Sequence, residues 1–410
     1  MRRNSLIGYD LGLLFCVLTL LALGILMVYS ASGARAFDVL DNPQYFLLQQ
    51  SAWGLTGLAG MAIAARVNYH RYRVVAAPLL AVAIVLLLLV LVPALGIAGG
   101  GATRWLRVFG PFALQPAEFA KLALVVYVAA WLASKRTELS AGKLMVPFLL
   151  IVGAVAGLVV IEPDLGTAIV LVGVAMLMYF AAGARLIEFG AAGALAAVGM
   201  LALAFAPGYR SARLLAFLDP WTDPSGKGFH TLQALYSLAF GGIFGEGLGA
   251  GREKFGYLPA PYTDSIYAVL ADELGLIGAL AVIFLFGAIV LQGLRIARRA
   301  PDTHGALLAV GITASLGLQA WINMAVVAAL VPVTGITLPF ISYGGSSLLV
   351  SLTSVGILLN VGRQGSLEKR VGGDTNHARG RRDRRSYEPA ARGERRAPRA
   401  GSLSLRLRRR

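Results

Sequence analysis

Ten apolar stretches, each near the length of a membrane crossing, run almost end to end through residues 11–361 and leave this chain little choice of fold. They cover residues 11–29, 46–65, 74–97, 115–134, 144–161, 165–182, 189–206, 266–294, 305–327 and 336–361. A helix needs about 20 apolar residues to cross the hydrocarbon, where no water satisfies a backbone that is not hydrogen-bonded to itself. The expected fold is an all-α polytopic membrane protein with ten transmembrane helices. Only Glu162-Pro163-Asp164 separates the fifth and sixth stretches, and the proline favours a tight turn there over one long span. The first stretch follows Met1-Arg2-Arg3-Asn4, as in a signal peptide, but its apolar run is too long for a cleaved one and reads as an uncleaved anchor. Composition agrees. The chain is 57% hydrophobic and 14% charged, where a soluble domain carries about 25% charged residues, which excludes an ordinary soluble enzyme or a disordered chain.

Basic residues set the orientation. With the N-terminus in the cytoplasm, ten spans return the C-terminus to it, and the inner segments carry 28 Lys/Arg against 8 on the outer ones. Sixteen of the 28 lie in residues 363–410 beside 5 Asp/Glu, among Gly, Pro and Ser, so a disordered basic cytoplasmic tail is expected. Next to a membrane such a tail suits topology and anionic lipid, not nucleic acid. The organisation is then a membrane domain over 1–362, a tail over 363–410, and one large extracytoplasmic loop, 207–263, between helices 7 and 8. Loops of that length are functional or disordered. This one carries the turns Asp219-Pro220-Trp221 and Asp223-Pro224-Ser225-Gly226, then a Gly-rich, half-apolar run too short to span, so helices on or dipping into the outer face are expected.

Ionisable groups at membrane depth are costly and mark candidate sites. Three places qualify, all at outer ends of spans. Thr263-Asp264 enters the eighth stretch, and ten residues of helix would lift Asp264 about 15 Å above the hydrocarbon boundary, to the height of a lipid diphosphate. A helix cap is the plainer alternative, and the residue pattern leaves both open. Asp272 and Glu273 follow on different faces of that helix. Glu118 and Lys121, three apart in the fourth stretch, form an ion pair that is structural or functional. Arg104-Trp105 and Arg107 precede them, as interfacial anchors or as an anion site for diphosphate. The third place is Glu162-Pro163-Asp164 with Gly166-Thr167, which Arg210 and Arg213 could join; a turn of that composition needs no function to explain it. Four scattered histidines and the single Cys16 argue against a transition-metal site, and no catalytic triad, phosphate loop or zinc motif is present.

These segments, in this order, resemble the SEDS family of bacterial cell-wall polymerases over about residues 9–363. The resemblance is carried by Arg104-Trp105, the Gln115–Leu122 run QPAEFAKL, Pro163-Asp164-Leu165-Gly166-Thr167-Ala168, Asp219-Pro220-Trp221, Gly241-Gly242 through Gly249, and Leu258-Pro259 with Thr263-Asp264. Its most specific piece is the closing run PVTGITLPFISYGGSS over 332–347, which includes Ser342 and Ser346. Details of these runs lean to the division branch of the family over the elongation branch. Departures surround the aspartate: Ala260 and Tyr262 stand where the family usually has an acid and a histidine, Ser265 where it has Phe, Asp272 where it has Glu, and Glu162 where it has Gln.

The resemblance implies a ten-span glycosyltransferase that polymerises lipid II into glycan strands on the outer face of the bacterial cytoplasmic membrane, at the division septum. It implies a class B penicillin-binding protein as partner, with other division proteins of the membrane. It also implies that Asp264 is essential, and that Arg104, Glu118, Lys121 and Asp164 bind substrate or shape the cavity. The expected chemistry is inverting: Asp264 takes the proton of the acceptor 4-hydroxyl, which attacks the donor anomeric carbon and expels undecaprenyl diphosphate. Arg104, Lys121, Arg210 or Arg213 would steady the leaving group. A divalent cation (Mg or Mn) bridging Asp264 and the diphosphate is compatible with this, although no ligand cage is visible in the sequence. The rival readings are a lipid II flippase, which should carry its polar groups at the bilayer midplane in related repeats, and a non-catalytic division scaffold.

Overall fold

The computed structural model describes residues 9–385, apart from 100–101, 110–111, 141–142, 206–208, 253 and 255–256. The chain runs α1 (Leu11–Leu40), α2 (Tyr45–Arg66), α3 (His70–Val90), β1 (Gly96–Gly99), β2 (Ala102–Phe109), β3 (Phe112–Leu114), α4 (Pro116–Ser134), α5 (Arg136–Ser140), α6 (Met145–Ile161) and α7 (Leu165–Ala181). It continues with α8 (Leu186–Phe205), α9 (Tyr209–Leu218), α10 (Phe229–Gly241), α11 (Ile266–Arg299), α12 (Thr303–Val327) and α13 (Gly345–Arg385). Among the described residues six helical segments are long and apolar enough to cross a membrane: Leu11–Gly33, His70–Val90, Pro116–Ser134, Ile266–Arg299, Thr303–Val327 and Gly345–Leu367. Three more are apolar but shorter: Met145–Ile161, Leu165–Ala181 and Leu186–Ala202. The chain is an integral membrane protein, mostly helical. At its centre α12 packs against α11, α7 and α4.

The structure departs from the all-α expectation. Residues 74–97 do not form one span, because α3 starts at His70 and stops at Val90, before Pro93 and Gly96. The chain then makes a small antiparallel sheet in the order β1-β2-β3, with Gly96 opposite Leu106 and Leu106 opposite Leu114. Alternation over so few residues was hidden beside a long apolar run. Residues 336–344, expected as the start of the last span, are irregular yet buried at Leu338, Phe340 and Ile341. Pro339, and positive φ at Gly335 (73°) and Phe340 (66°), keep them out of a helix, which begins only at Gly345. At the other end α13 runs from Gly345 to Arg385.

The helix of the eighth apolar stretch is broken. α11 contains a non-helical residue, Gly275, at φ 66° and ψ −168°, a conformation open to glycine alone at little cost. The run after α10 crosses the break and satisfies both ends of it. Leu276 N–H donates to Gly242 O (2.9 Å) and Ile277 N–H to Ile243 O (3.3 Å), while Glu246 and Gly247 N–H donate to the carbonyls of Asp272 and Glu273 (both 3.0 Å). A β-carbon on Gly275 would meet Gly245 N at 2.4 Å, so the crossing requires bare backbone. The rise from Leu274 to Asp264 therefore rests on the piece of α11 before Gly275 alone.

Candidate active site

Asp264 precedes α11 on a loop held from three sides. Within the loop, Thr263 and Ser265 N–H both donate to Ala260 O (3.2 and 3.3 Å), and Ala260 takes a positive φ of 50°. From α12, Asn323 Nδ2 donates to Asp264 O (2.8 Å) and to Ile336 O (2.7 Å), tying the loop to the irregular 336–344 segment. From that segment, Tyr343 N–H donates to Tyr262 O (2.8 Å). The helix N-cap position belongs to Ser265, and the carboxylate of Asp264 does not serve it. Its Oδ1 accepts instead from Thr263 Oγ1 (3.0 Å), and a β-carbon on Gly335 would stand 3.8 Å from Oδ2. The capping role weighed from the sequence is thus removed, and a half-buried carboxylate is left on a preorganised backbone.

Charge gathers around it. Arg213 on α9 donates through Nη1 to Val333 O (3.1 Å) and lies in the field of Asp264, Asp164 and Arg104. Burial, and next Arg104, lower its pKa from the ordinary arginine value, against the pull of the two aspartates. Arg104 on β2 reaches the α6–α7 turn, donating through Nε to Glu162 O (3.2 Å) and through Nη2 to Pro163 O. Asp164 caps α7 by accepting from Thr167 N–H (3.0 Å) and Oγ1 (2.9 Å), and Gln115 Nε2 adds a third bond (3.1 Å). Glu162 is 1% exposed, and neither carboxyl oxygen finds a hydrogen-bond partner among the described residues. Burial, reinforced by Asp164 and opposed by Arg104, pushes its pKa up to about 8, so it is mostly protonated at neutral pH.

Beside this cluster opens a cavity of about 600 Å³. Its lining is apolar (Leu165, Ile169, Met200, Leu201, Phe217 and Trp321 among others), and Arg213 is the one charged residue among those described that line it. No three His, Cys, Asp or Glu side chains come together to hold a metal ion among the described residues. A cation held chiefly by the substrate diphosphate needs only one or two carboxylates of the protein, and Asp264 would be such a ligand.

The family model for FtsW, RodA and SpoVE, described as cell cycle proteins, matches residues 11–367. The chain belongs to this SEDS family. Among its relatives, stage V sporulation protein E of Bacillus subtilis is 42% identical over 86% of the chain and 97% of that protein. The probable peptidoglycan glycosyltransferase FtsW of Geobacter sp. strain M18 is 43% identical over 88% and 98%. Among solved structures, a chain from a peptidoglycan synthase complex, described as coordinating polymerization and crosslinking, is 30% identical with a TM-score of 0.72 over 88% of this chain and 99% of that one. The rod shape determining protein RodA of Thermus thermophilus is 29% identical with a TM-score of 0.64, over 88% and 98%. Within SEDS the chain is FtsW-like.

Of the residues singled out in this SEDS chain, the structure brings Asp264, Arg213, Arg104 and Asp164 into one cluster. The side chain of Arg210 lies outside the described residues. Glu118 and Lys121 pair at 3.0 Å, both nearly fully buried, and Lys121 Nζ also donates to Gln319 Oε1 (2.5 Å). Gln319 in turn donates to Thr337 O (3.0 Å) and Ser347 Oγ (3.2 Å), so this network supports the 336–347 segment from within the bundle. Ser346 Oγ accepts from Gln115 N–H (3.0 Å), and Ser342 Oγ accepts from Leu338 N–H (2.7 Å); both bind backbone. Asp272, 1% exposed, stands against Gly251, whose β-carbon would lie 2.6 Å from Oδ2. Glu273 accepts from Lys254 Nζ (2.5 Å), Ser30 Oγ (2.6 Å) and Gly249 N–H (3.0 Å). Sequence reasoning passed over Asn323, although a carboxamide in an apolar span was a legible signal. It gave His230 no role beyond counting it among four scattered histidines, since no local signal marks it.

Proposed function

We propose that this chain is a peptidoglycan glycosyltransferase that polymerises lipid II into glycan strands at the division septum, with inversion at the anomeric carbon and release of undecaprenyl diphosphate. In this reading ten helices cross the cytoplasmic membrane, with both termini inside. Residues 1–362 form the membrane domain, and residues 207–263 lie outside with the site. The observation that carries it is Arg213, which lines a large apolar cavity and sits in the field of Asp264. An isoprenoid chain needs such a cavity, and the diphosphate at its head needs a cation at the cavity's edge. Asp264 takes the proton of the acceptor hydroxyl as the hydroxyl oxygen attacks the donor C1. The C1–O bond to diphosphate breaks, and Arg213, with Arg104 behind it, steadies the charge that develops. Names of relatives support the activity, and the synthase complex supports a crosslinking partner, here a class B penicillin-binding protein. The basic tail after Arg363 would meet anionic lipid, and other division proteins would join at the membrane.

The test is glycan synthesis from labelled lipid II by the purified protein with its partner, whose transpeptidase is inactivated. Wild type should polymerise, and a folded, partner-bound Asp264→Asn should fall below about 1% of it. Polymer from both would move the base elsewhere. No polymer from either would restore the flippase and scaffold readings, and lipid II flipping in vesicles separates those two.

A further inference from the structure

His230, the second residue of α10, points its Nε2 at Ser265 Oγ, 2.8 Å away. Ser265 is completely buried, and its Oγ also lies 2.8 Å from Pro259 O. A carbonyl oxygen only accepts, so the single hydroxyl proton goes to Pro259 and the serine oxygen must accept from His230. That settles the ring: Nε2 carries a hydrogen in either charge state, and only Nδ1 gains or loses one. No hydrogen bond is made to Nδ1 among the described residues, and the residue is half-buried.

The bonded chain His230–Ser265–Pro259 ties the loop to α10, as Asn323 ties it to α12 and Tyr343 to the 336–344 segment. Of the three clamps on that loop, His230 alone can change charge near neutral pH. The charged groups that reach its ring are Asp264, on the loop itself, and Arg213, from α9.

We propose that His230 is a positioning residue for Asp264: through Ser265 it fixes the loop that aims the carboxylate, and only its uncharged ring leaves that carboxylate free to act as a base. Burial lowers its pKa below the ordinary histidine value, against Asp264 and with Arg213, which keeps the ring neutral at pH 7. As pH falls, a proton added at Nδ1 puts a cation in the field of Asp264 and lowers that carboxylate's affinity for the acceptor proton. This inference rests on the glycosyl-transfer reading above.

The experiment measures kcat and KM for labelled lipid II from pH 5.5 to 8.5, using the complex with the partner's transpeptidase inactivated. Variants are His230→Ala, His230→Gln and Ser265→Ala, each checked for partner binding and thermal unfolding. His230→Ala should lower kcat about tenfold at pH 7.5 with KM within about twofold, because the acceptor still binds but meets a loose base. His230→Gln keeps an N–H for Ser265 but cannot titrate. It should recover to within about threefold of wild type, and its acid limb should move about one pH unit lower. Ser265→Ala should reproduce the loss even if His230→Ala does not fold. A wild-type kcat in His230→Ala, or a wild-type acid limb in His230→Gln, overturns the inference. Wild-type protein inactive at every pH overturns the glycosyltransferase reading instead.

Discussion

Replacing Glu162 by glutamine should stabilise the protein, by an amount that grows as pH rises from about 5 toward 8. The side chain is 1% exposed, unpaired among the described residues, and held protonated up to about pH 8 by burial and by Asp164. Because the folded state binds this proton more tightly than the unfolded chain, whose glutamate titrates near 4.5, the contribution to stability is complete below pH 4.5. It is lost as pH rises toward 8. At about 1.4 kcal/mol per pH unit, the loss reaches about 3 kcal/mol by pH 7 and is capped near 5 kcal/mol above pH 8. Relaxation and water entry around a new charge reduce such figures, leaving about 2 kcal/mol at pH 8. Glutamine has the same shape and the same missing partners but no proton to lose. In detergent, followed by tryptophan fluorescence, the two proteins should melt together at pH 5, and Glu162→Gln should melt about 4 °C higher at pH 8.5. Parallel curves across that range, or a variant weaker at every pH, would show that Glu162 is solvated or paired and refute the reasoning.

Two further outcomes are expected. Lys254→Met and Glu273→Gln should each cost about 3 kcal/mol, because each leaves a buried partner of the 2.5 Å pair behind, and the double variant should cost clearly less than their sum; additive losses in melting experiments would deny the coupling. Leu201→Trp should narrow the cavity and raise KM about tenfold for a long-chain lipid substrate while sparing a short-chain analogue; equal effects on both would place the chain elsewhere.

Most helices were legible because a membrane forces long apolar runs, and the runs over 115–134, 144–161 and 165–182 match α4, α6 and α7 to within a residue or so. The ends of other spans were not. Apolarity cannot distinguish a helix from the buried irregular backbone at Leu338–Ile341, which is equally water-free but pinned by Gln319 and Asn323. The candidate site divides in the same way. Asp264, Arg104 and Asp164 announced themselves as charges at span ends, and Glu118–Lys121 as neighbours on one helical face. His230 lies 35 residues from its partner Ser265, and Asn323 lies 59 from Asp264, so only folding makes either relation visible. The break in α11 escaped notice because Gly275 resembles any small packing residue until residues 242–247 are seen crossing it.

That crossing makes Gly275 a splinted fracture. The two pieces of α11 part at the glycine, but residues 242–247 bridge them: Leu276 and Ile277 on one side donate to the carbonyls of Gly242 and Ile243, and Asp272 and Glu273 on the other accept from the N–H groups of Glu246 and Gly247. A load on either piece is therefore shared with the bridging run, and a load on that run reaches Asp272 and Glu273, about two turns of helix from Ser265. The loop that carries Asp264 is thus mechanically joined to whatever grips residues 242–247.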